Sequence, residues 1–493
     1  VADTVSKADG GTFDGAVTLA GGVSGNTAFS NNVTVTGDLA SSTSGTSNFR
    51  AGVNAGNSIA SGGNFNTVVG DEAGTAITTG DENTFVGYAT GDATTTGIRN
   101  IAIGGNALGA NVAGDQSVAI GFGALFTQNP SGNADMNNVA IGYDTGFDLT
   151  TGIQNTLIGA TAGDALTDAD FNVALGYQAL SADTKGSLST AVGKSALANQ
   201  NLTSATNTFN TAIGAGAGEQ ITTGPNNTLI GGVAGDALTT GNQNVAVGAF
   251  ALSAGTTYDG NTAVGYQALL SANNTSGADG NNVAIGATAA NAVTTGLRNT
   301  IIGVSAGASL IDGNDNICIG KGADVSANTA FNQITIGQDI NAGGNNNFAF
   351  GKSGNVVTND FDSDANWSRS SDRRKKREIY DQELGLAFVN DLRTVNFKWK
   401  PSNEFPKEWN DYSEENNMDT DVIMHGFIAQ EVKEALDKHS SERDSKFSGW
   451  KEGEDGMQHT SREMFVIPLI KAVQELSAQV DALKEEIKEL KNE

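Results

Sequence analysis

From Asn66 onward the chain repeats a short pattern of polar and apolar positions. Asn or Ser is followed by Thr or Val, then usually Ala, then Ile or Val, then Gly. Seventeen anchor glycines end the pattern: Gly70, Gly87, Gly104, Gly121, Gly142, Gly159, Gly176, Gly193, Gly214, Gly231, Gly248, Gly265, Gly286, Gly303, Gly320, Gly337 and Gly351. They are spaced 17, 17, 17 and 21 residues apart three times over, then 17, 17, 17 and 14. Taking each step as one coil, four coils make a 72-residue unit.

The residues one and three places before each anchor glycine are mostly β-branched, and they share one face of a strand because the strand period is two. The residue between them is mostly Ala, as at Ala102, Ala140, Ala212 and Ala284. A strand that is covered on both faces needs a neighbour on each side. We expect one neighbour to be the interior of the coil and the other to be the same face of partner chains.

Ten places after the anchor the coil commonly carries the glycine of a Thr-Thr-Gly sequence, as at Gly80, Gly97, Gly152, Gly224, Gly241 and Gly296. A turn with positive φ would explain this glycine. The Asn that follows can bond to turn backbone and stack as a ladder between coils. Strand, turn, strand and turn in 17 residues predict a β-solenoid coil. Stacked at about 4.8 Å per strand, the repeat would be roughly 80 Å long.

The 21-residue coils gain their four extra residues at one place in each unit, within residues 128–137, 199–210 and 271–282. These segments are polar and rich in turn-forming residues. Insertions on one face of a solenoid often form its binding face. Longer exposed turns without a binding role explain them equally well.

Composition excludes several classes of function. A net charge of −27 makes nucleic acid and anionic membranes unsuitable partners. Cys318 is the one cysteine, so no intrachain disulfide forms, and its place in an Ala position predicts a small buried group. No apolar run is long enough to span a membrane, and no signal pattern is present. Because the chain begins at Val1 without Met, we expect a processed form or fragment that lacks an upstream attachment region.

Candidate chemistry in the repeat is sparse. Acidic turn residues such as Asp81 do not recur from coil to coil, which favours solvated turns over calcium sites, and no metal or cofactor is expected. Tyr88, Tyr143, Tyr177 and Tyr266 each follow an anchor glycine and either stack on sugar rings or pack at coil edges. The repeat has no histidine and no acid pair marked by its spacing, which argues against a glycosidase site without excluding one.

The composition changes abruptly near Ser371. Helical spacing over 384–392, alternation over 394–400, an acidic loop over 402–421 and a strand running into a helix over 426–432 predict a small α+β domain. A heptad seam follows at Leu469, Val473, Leu476, Val480, Leu483, Ile487 and Leu490. Its residue types nominally favour two strands, but the rest of the chain favours threefold association, so we predict a trimeric coiled coil over 469–492.

The chain therefore divides into four predicted regions. Residues 1–60 form a fibre segment of short strands, 61–351 an elongated, mainly β, trimeric solenoid or β-roll, 352–370 a linker, and 371–493 the α+β domain. Near the third border, Ser371 is followed by an acid, Asp372, and five residues on by Lys376. A hydroxyl, an acid and a lysine at such a border make a candidate self-cleavage site.

Several ordered blocks of the last region resemble a known family. They are Ser371-Asp372-Arg373-Arg374-Lys375-Lys376 through Ile379, then residues 384–389, 397–400 and 425–432. Together they look like the C-terminal intramolecular chaperone of phage tail spikes and fibres, the self-cleaving domain typified by endosialidase tail spikes. Lys375 is a departure, because such domains often carry Leu there. The repeat resembles, more loosely, the coiled heads of trimeric autotransporter adhesins.

The resemblance implies a trimeric chaperone that releases itself with a serine–lysine dyad, and the matching positions are Ser371 and Lys376. Lysine acts as a base only when neutral, a form that desolvation on assembly and the neighbouring cations would favour. Attack on the carbonyl of Ser370 closes a five-membered ring, whereas attack of Ser371 on its own carbonyl would close a strained four-membered one. We therefore predict cleavage between Ser370 and Ser371, before Asp372.

The predicted function is a homotrimeric phage tail fibre or tail spike, made in the host cytoplasm and carried on the virion. It would bind a host surface glycan or protein and contact other tail proteins through the missing N-terminal region. A polysaccharide-degrading spike and a non-viral trimeric surface adhesin are the alternatives.

Overall fold

The computed structural model describes residues 43–274, 279–362, 371–407, 409, 412–416, 418, 420–440, 447–453 and 456–492. The chain falls into two compact units, Val1–Ser370 and Ser371–Glu493. Most of the short-strand segment predicted over residues 1–60 lies outside the described residues. So do residues 363–370 of the predicted linker and 275–278 of the third insertion.

The first unit is a β-solenoid built on one long sheet. Each three-residue strand before an anchor glycine pairs in parallel with the equivalent strand of the next coil, for example Val245↔Thr262. The last two strands pair antiparallel as a hairpin. The strands are Phe49–Ala51, Thr67–Val69, Thr84–Val86, Ile101–Ile103, Val118–Ile120, Val139–Ile141, Thr156–Ile158, Val173–Leu175, Thr190–Val192, Thr211–Ile213, Thr228–Ile230, Val245–Val247, Thr262–Val264, Val283–Ile285, Thr300–Ile302, Ile317–Ile319, Ile334–Gln338, Asn347–Lys352 and Asn355–Asp360.

The alanine face of each strand points into the solenoid. Ala102 is fully buried, whereas Ile101 and Ile103 on either side of it are 40% and 39% exposed. The interior is completed by an apolar residue of the following turn, such as Leu108 or Leu125. The β-branched residues therefore form an outward stripe, which a single chain leaves in contact with solvent.

The expectation of two strands per coil is wrong. Most 17-residue coils have one strand among the described residues, and the rest of the coil is turns. The reason is that left-handed residues recur at close intervals after the anchor, as at Asn106 and Leu108, and leave no extended run. Second strand pairings form next to two insertions, between Gly114–Asp115 and Ala134–Asp135 and between Gly186–Ser187 and Thr206–Asn207, and single bridges join Asn314 to Phe331 and Asp324 to Asn341.

The prediction for the Thr-Thr-Gly glycines is also wrong. Positive φ belongs to the anchor glycines, from 126° at Gly320 to 151° at Gly337, and not to glycines such as Gly80. Gly80 is needed for a different reason, since an added Cβ would lie 2.5 Å from the carbonyl oxygen of Gly97 in the next coil. Both kinds of position require glycine because the backbones of neighbouring coils stack closely.

The predicted asparagine ladder is confirmed. Asn83 donates from Nδ2 to Asn66 Oδ1 at 3.1 Å and to the Gly97 carbonyl at 2.9 Å, and its backbone N–H also donates to Asn66 Oδ1. The same bonds recur one coil on, at Asn100. Each asparagine is buried, so the ladder satisfies polar backbone groups that would otherwise be costly inside the fold.

The ladder carries Ser in place of Asn at Ser117 and Ser189, and the insertions repair it there. Gln128, the first residue of its insertion, bonds to Ser117 Oγ and accepts from Asn138 Nδ2 at 3.0 Å. Gln200 repeats this bridge between Ser189 and Asn210. The buried first residues of these two insertions therefore have a structural role. A binding role, one of the two alternatives, concerns only the exposed residues of the insertions.

The second unit is a small α+β domain, as predicted. Its helices are α1 (Leu386–Asp391), α2 (Ala429–His439) and α3 (Val466–Asn492). Strands Val395–Phe397 and Met424–Gly426 pair antiparallel, as do Trp450–Glu452 and Gln458–Thr460. Short 3-10 turns cover Arg373–Lys375, Ser402–Glu404 and Arg462–Phe465.

A compact apolar cluster joins α1, α2 and the 3-10 turn Arg462–Phe465 that precedes α3. Phe388 of α1 packs between Leu436 of α2 and Phe465, whose ring stacks on that of Phe388 with a centroid distance of 6.3 Å. Glu475 of α3 accepts the backbone N–H of Leu386 at 2.7 Å and caps α1. Gly385 fits beneath this carboxylate, where an added Cβ would lie 2.4 Å from Glu475 Oε2.

Candidate self-cleavage site

Ser371 and Lys376, the two residues predicted to act together, are in contact. Lys376 donates from Nζ to Ser371 Oγ at 2.6 Å. Between them the backbone makes a single 3-10 turn, Arg373–Lys375, and the Lys376 N–H closes this turn on the Arg373 carbonyl at 3.0 Å. A separation of five residues is therefore enough to bring hydroxyl and amine together without help from elsewhere in the fold.

Asp372 holds the turn in shape. Its Oδ1 accepts the backbone N–H of Arg374 at 2.8 Å, which caps the turn. The Arg374 guanidinium returns to the same carboxylate, donating from Nε at 3.0 Å and from Nη2 at 2.8 Å. These bonds from Arg374 lower the pKa of Asp372, and the carboxylate in turn raises the pKa of Arg374. The acid is thus engaged by arginine and does not itself touch the serine–lysine pair.

The site is open to solvent in the single chain. Every residue from 371 to 377 is exposed, and five of these seven are basic. Ser370, whose carbonyl is the predicted point of attack, lies outside the described residues. The described part of the site therefore consists of the nucleophile, the base and the turn that joins them.

The contact between Lys376 and Ser371 supports nucleophilic attack only when the lysine amine is neutral. A lysine amine that has lost its proton can accept the serine proton along the 2.6 Å contact, which leaves Oγ as the attacking oxygen. A protonated lysine can only donate to that oxygen. Removal of water from the dyad would favour the neutral amine, because a low-dielectric environment disfavours charge.

The other residues singled out by the sequence lie either in the core or on the surface. Cys318 is fully buried, as predicted, and burial raises the pKa of its thiol to about 12, so it is an inert core group. Tyr88, Tyr143, Tyr177 and Tyr266 are all exposed, from 50% to 64%. Within the described residues no group of three His, Cys, Asp or Glu side chains could hold a metal ion.

Sequence reasoning missed a second charged cluster, in the C-terminal unit. Asp391 accepts from Lys438 at 2.6 Å and contacts His439 Nε2 at 2.5 Å, and these bonds lower the pKa of Asp391. Nearby, Arg393 makes a bidentate pair with Glu431. Partners 38 to 48 residues apart leave no local signal in a sequence. The bond from the Arg374 backbone N–H to Asp372 had such a signal, since an Asp directly before a turn is a common cap.

A comparison with protein families matches residues 371–441 to the family described as chaperone of endosialidase. The match begins at Ser371 itself. No curated protein and no solved structure matches the chain. A chaperone-of-endosialidase domain at the C-terminus together with a β-solenoid fits a tail fibre or tail spike that carries such a domain. In the described parts of the chain, no helix is long and apolar enough to cross a membrane.

Proposed function

We propose that the chain is the subunit of a trimeric phage tail fibre or tail spike whose C-terminal unit is an intramolecular chaperone released by self-cleavage. The observation that carries this proposal is the Ser371–Lys376 contact, which lies at the first residue of the family match. We assign residues 61–351 to the host-binding fibre and 371–493 to the chaperone. The fibre would be part of the virion and bind a glycan or protein on the host surface.

Trimer formation is supported by the family match, which implies trimeric assembly, and by two exposed apolar surfaces. The first is the β-branched stripe of the solenoid, where Ile103, Ile213 and Ile285 are 39% to 40% exposed. The second is the seam of α3, where Val473 and Leu483 are 58% and 55% exposed. Continuous apolar surfaces of this kind mark association sites. One subunit alone leaves both of them in water.

The repeat explains why a separate assembly domain is needed. Neighbouring coils present nearly the same stripe, so two chains displaced by one coil would keep most of their contacts. Association of the C-terminal units would fix the alignment of three chains before the solenoids pack. Removal of those units afterwards would leave the fibre kinetically trapped, because the route back to separate chains is lost.

The proposed cleavage follows from the described contact. Lys376 takes the proton of Ser371, and Oγ attacks the carbonyl carbon of Ser370. The peptide C–N bond breaks, its nitrogen takes a proton, and an ester forms between Ser370 and the serine oxygen. Water then hydrolyses the ester, which leaves a carboxylate at Ser370 and a free amine at Ser371. The dyad is exposed in the single chain, so the desolvation that favours a neutral lysine would come from assembly.

The test is expression of the wild-type chain and of Ser371→Ala, followed by size exclusion with light scattering and intact mass measurement. We expect the wild type to give a trimer of chains ending at Ser370 and the variant to give an uncut trimer. Ser370→Ala is the matched control and should be cut normally, because only its carbonyl reacts. If Ser371→Ala is cut like the wild type, Ser371 is not the nucleophile. A monomeric fibre would refute the trimer.

A further inference from the structure

Four aromatic rings form a platform on the outside of the solenoid, at the junction of the first and second 72-residue units. Phe122 and Tyr143 each follow an anchor glycine in adjacent coils, and their rings stack with a centroid distance of 5.7 Å and an interplanar angle of 12°. Phe126 and Phe147 lie four residues further along the same coils and stack at 5.1 Å and 16°. Phe122 is 50% exposed and Tyr143 57%, so the platform presents ring surface to solvent.

The fold does not need these rings. The four equivalent positions 72 residues further on carry Lys194, Ala198, Ala215 and Glu219, and those 144 residues further on carry Tyr266, Leu270, Ala287 and Asn291. The buried positions are kept, since Ala124 and Leu125 correspond to Ala196 and Leu197 and to Ala268 and Leu269. Two equivalent pairs of coils thus form with one of the four rings or with none. Packing at the coil edge therefore does not account for the platform.

Polar atoms without partners lie beside the rings. Asp144 follows Tyr143, and Asp164 occupies the position of Phe147 in the next coil. One carboxylate oxygen of each, and the hydroxyl of Thr161, are buried and have no hydrogen-bond partner within the described residues. These are three of eight such atoms in the described chain, and they fall in two consecutive coils. Orphaned polar atoms usually mark a missing water, ion or ligand.

The chemistry of this surface selects its ligand. A metal ion is not supported, because no suitable group of ligating side chains is present among the described residues. Ring faces bind C–H groups, and carboxylate oxygens accept hydrogen bonds from hydroxyls. A carbohydrate offers both on one molecule. The acidic side chains and the net charge of −27 repel an anionic sugar, so an uncharged sugar fits this surface better than an anionic one.

We propose that Phe122, Phe126, Tyr143, Phe147, Asp144 and Asp164 form an aromatic–acidic patch that binds a neutral glycan. The patch would be the receptor site of the proposed host-binding function, on which this inference rests. A second copy of the chain is a poorer occupant. The position after the anchor glycine varies from Asp71 to Lys194 along the solenoid, whereas a self-interface needs a uniform composition such as that of the position directly before the anchor, which is apolar in every coil.

The experiment measures binding of the wild-type protein to immobilised neutral oligosaccharides (glucans, mannans and galactans) and to hyaluronate as an acidic probe. The test variant is Phe122→Ala/Tyr143→Ala, and Tyr266→Ala is the control, an equally exposed tyrosine outside the patch. We expect neutral binding that weakens at least about tenfold in the double variant and is unchanged in the control. Light scattering and thermal unfolding of the double variant should match the wild type, because the equivalent positions 72 residues further on carry Lys194 and Ala215 in place of the two rings.

Several results would overturn the assignment. Equal binding by the double variant would place the site elsewhere, and binding of hyaluronate alone would reject the neutral class. A double variant that no longer forms the wild-type oligomer would make the patch a self-interface. Adsorption of the wild-type fibre to a panel of bacterial cells is scored in parallel. If the wild-type fibre adsorbs to cells but binds no neutral glycan, the patch is rejected and the host-binding function is kept. If it neither adsorbs nor binds a neutral glycan, the patch and the host-binding function are both rejected.

Discussion

The contacts that stabilise each unit of this chain join residues at different separations along the sequence. In the solenoid the ladder bonds join residues 17 apart and repeat from coil to coil. In the C-terminal unit the cap between Leu386 and Glu475 spans 89 residues, and the pair between Arg393 and Glu431 spans 38. Repeated contacts build a long object from a simple rule but do not distinguish one coil from the next. Contacts made once define a single arrangement, which is the property that an assembly domain requires.

The largest effect is expected from Phe388→Ala in the C-terminal unit. Phe388 is buried and packs on Leu436 and Phe465, so its loss should cost about 3–5 kcal/mol. We expect the full chain to lose its trimer and its cleavage and to aggregate through unaligned solenoids. Light scattering and gel analysis measure this. Ile423→Ala, at a 59% exposed site, is the control. A correctly assembled, cleaved trimer of the Phe388 variant would break the comparison.

A slightly smaller loss is expected from Gly214→Ala in the solenoid. Gly214 has a φ of 142°, and an added Cβ would lie 2.3 Å from the Gly231 carbonyl oxygen. Strain of this kind should cost about 3 kcal/mol, confined to neighbouring coils because their contacts are local. Limited proteolysis should cut near residue 214 while the C-terminal unit stays folded. Gly232→Ala has no atom within 4 Å of the new Cβ and should behave as wild type.

Glu475→Ala should have a moderate effect. The carboxylate caps α1 through the Leu386 N–H, and loss of such a cap costs about 1 kcal/mol. Denaturant unfolding followed by tryptophan fluorescence would report it, since three of the four tryptophans lie beyond residue 371. Glu486→Ala, at an exposed site later in α3, serves as the control. An unchanged midpoint for Glu475→Ala would show that the long-range cap contributes nothing.

The smallest effect concerns pH and the solenoid. Burial, together with the neighbouring carboxylates of Asp148 and Asp144, raises the pKa of Asp164 to about 6. The folded chain then holds a proton that the unfolded chain releases near pH 4, so this group's contribution to stability falls as pH rises through 6. Asp164 is only half-buried, and with solvent screening the loss between pH 4 and 7 should be about 1 kcal/mol.

Asp164→Asn should remove this part of the pH dependence in thermal unfolding measured from pH 4 to 7. Asp236→Asn changes the equivalent position 72 residues further on and should leave the dependence in place, because Asp164 is still present. Parallel curves for the wild type and Asp164→Asn would contradict the assignment.

Much of the fold could be predicted because it follows from local periodicity. The anchor spacing predicted the strands and the solenoid, and the buried Cys318 and the helix α3 followed from pattern alone. Which face of each strand points into the solenoid could not be predicted, because both faces carry apolar residues. The role of Gly80 was missed because it depends on a carbonyl oxygen one coil away, which no turn rule describes.

The candidate site divides in the same way. The sequence named Ser371 and Lys376, and the turn between them explains their contact, but their catalytic role stays a prediction. The clamp of Arg374 on Asp372 was not foreseen, because a side chain two residues away has many alternative partners on an exposed turn. The orphaned oxygens near Tyr143 depend on stacking between coils and have no trace in the linear pattern.

The 72-residue period also makes the fibre modular in length. Deleting residues 143–214 would join Gly142 to Ala215, set Asn227 one step above Asn138, and remove the patch tyrosine with its coil. Each unit gained or lost would change the reach of the fibre by roughly 19 Å, four strand spacings, without altering either end. Duplication and deletion of whole units therefore change the length of the solenoid independently of how the chains are assembled.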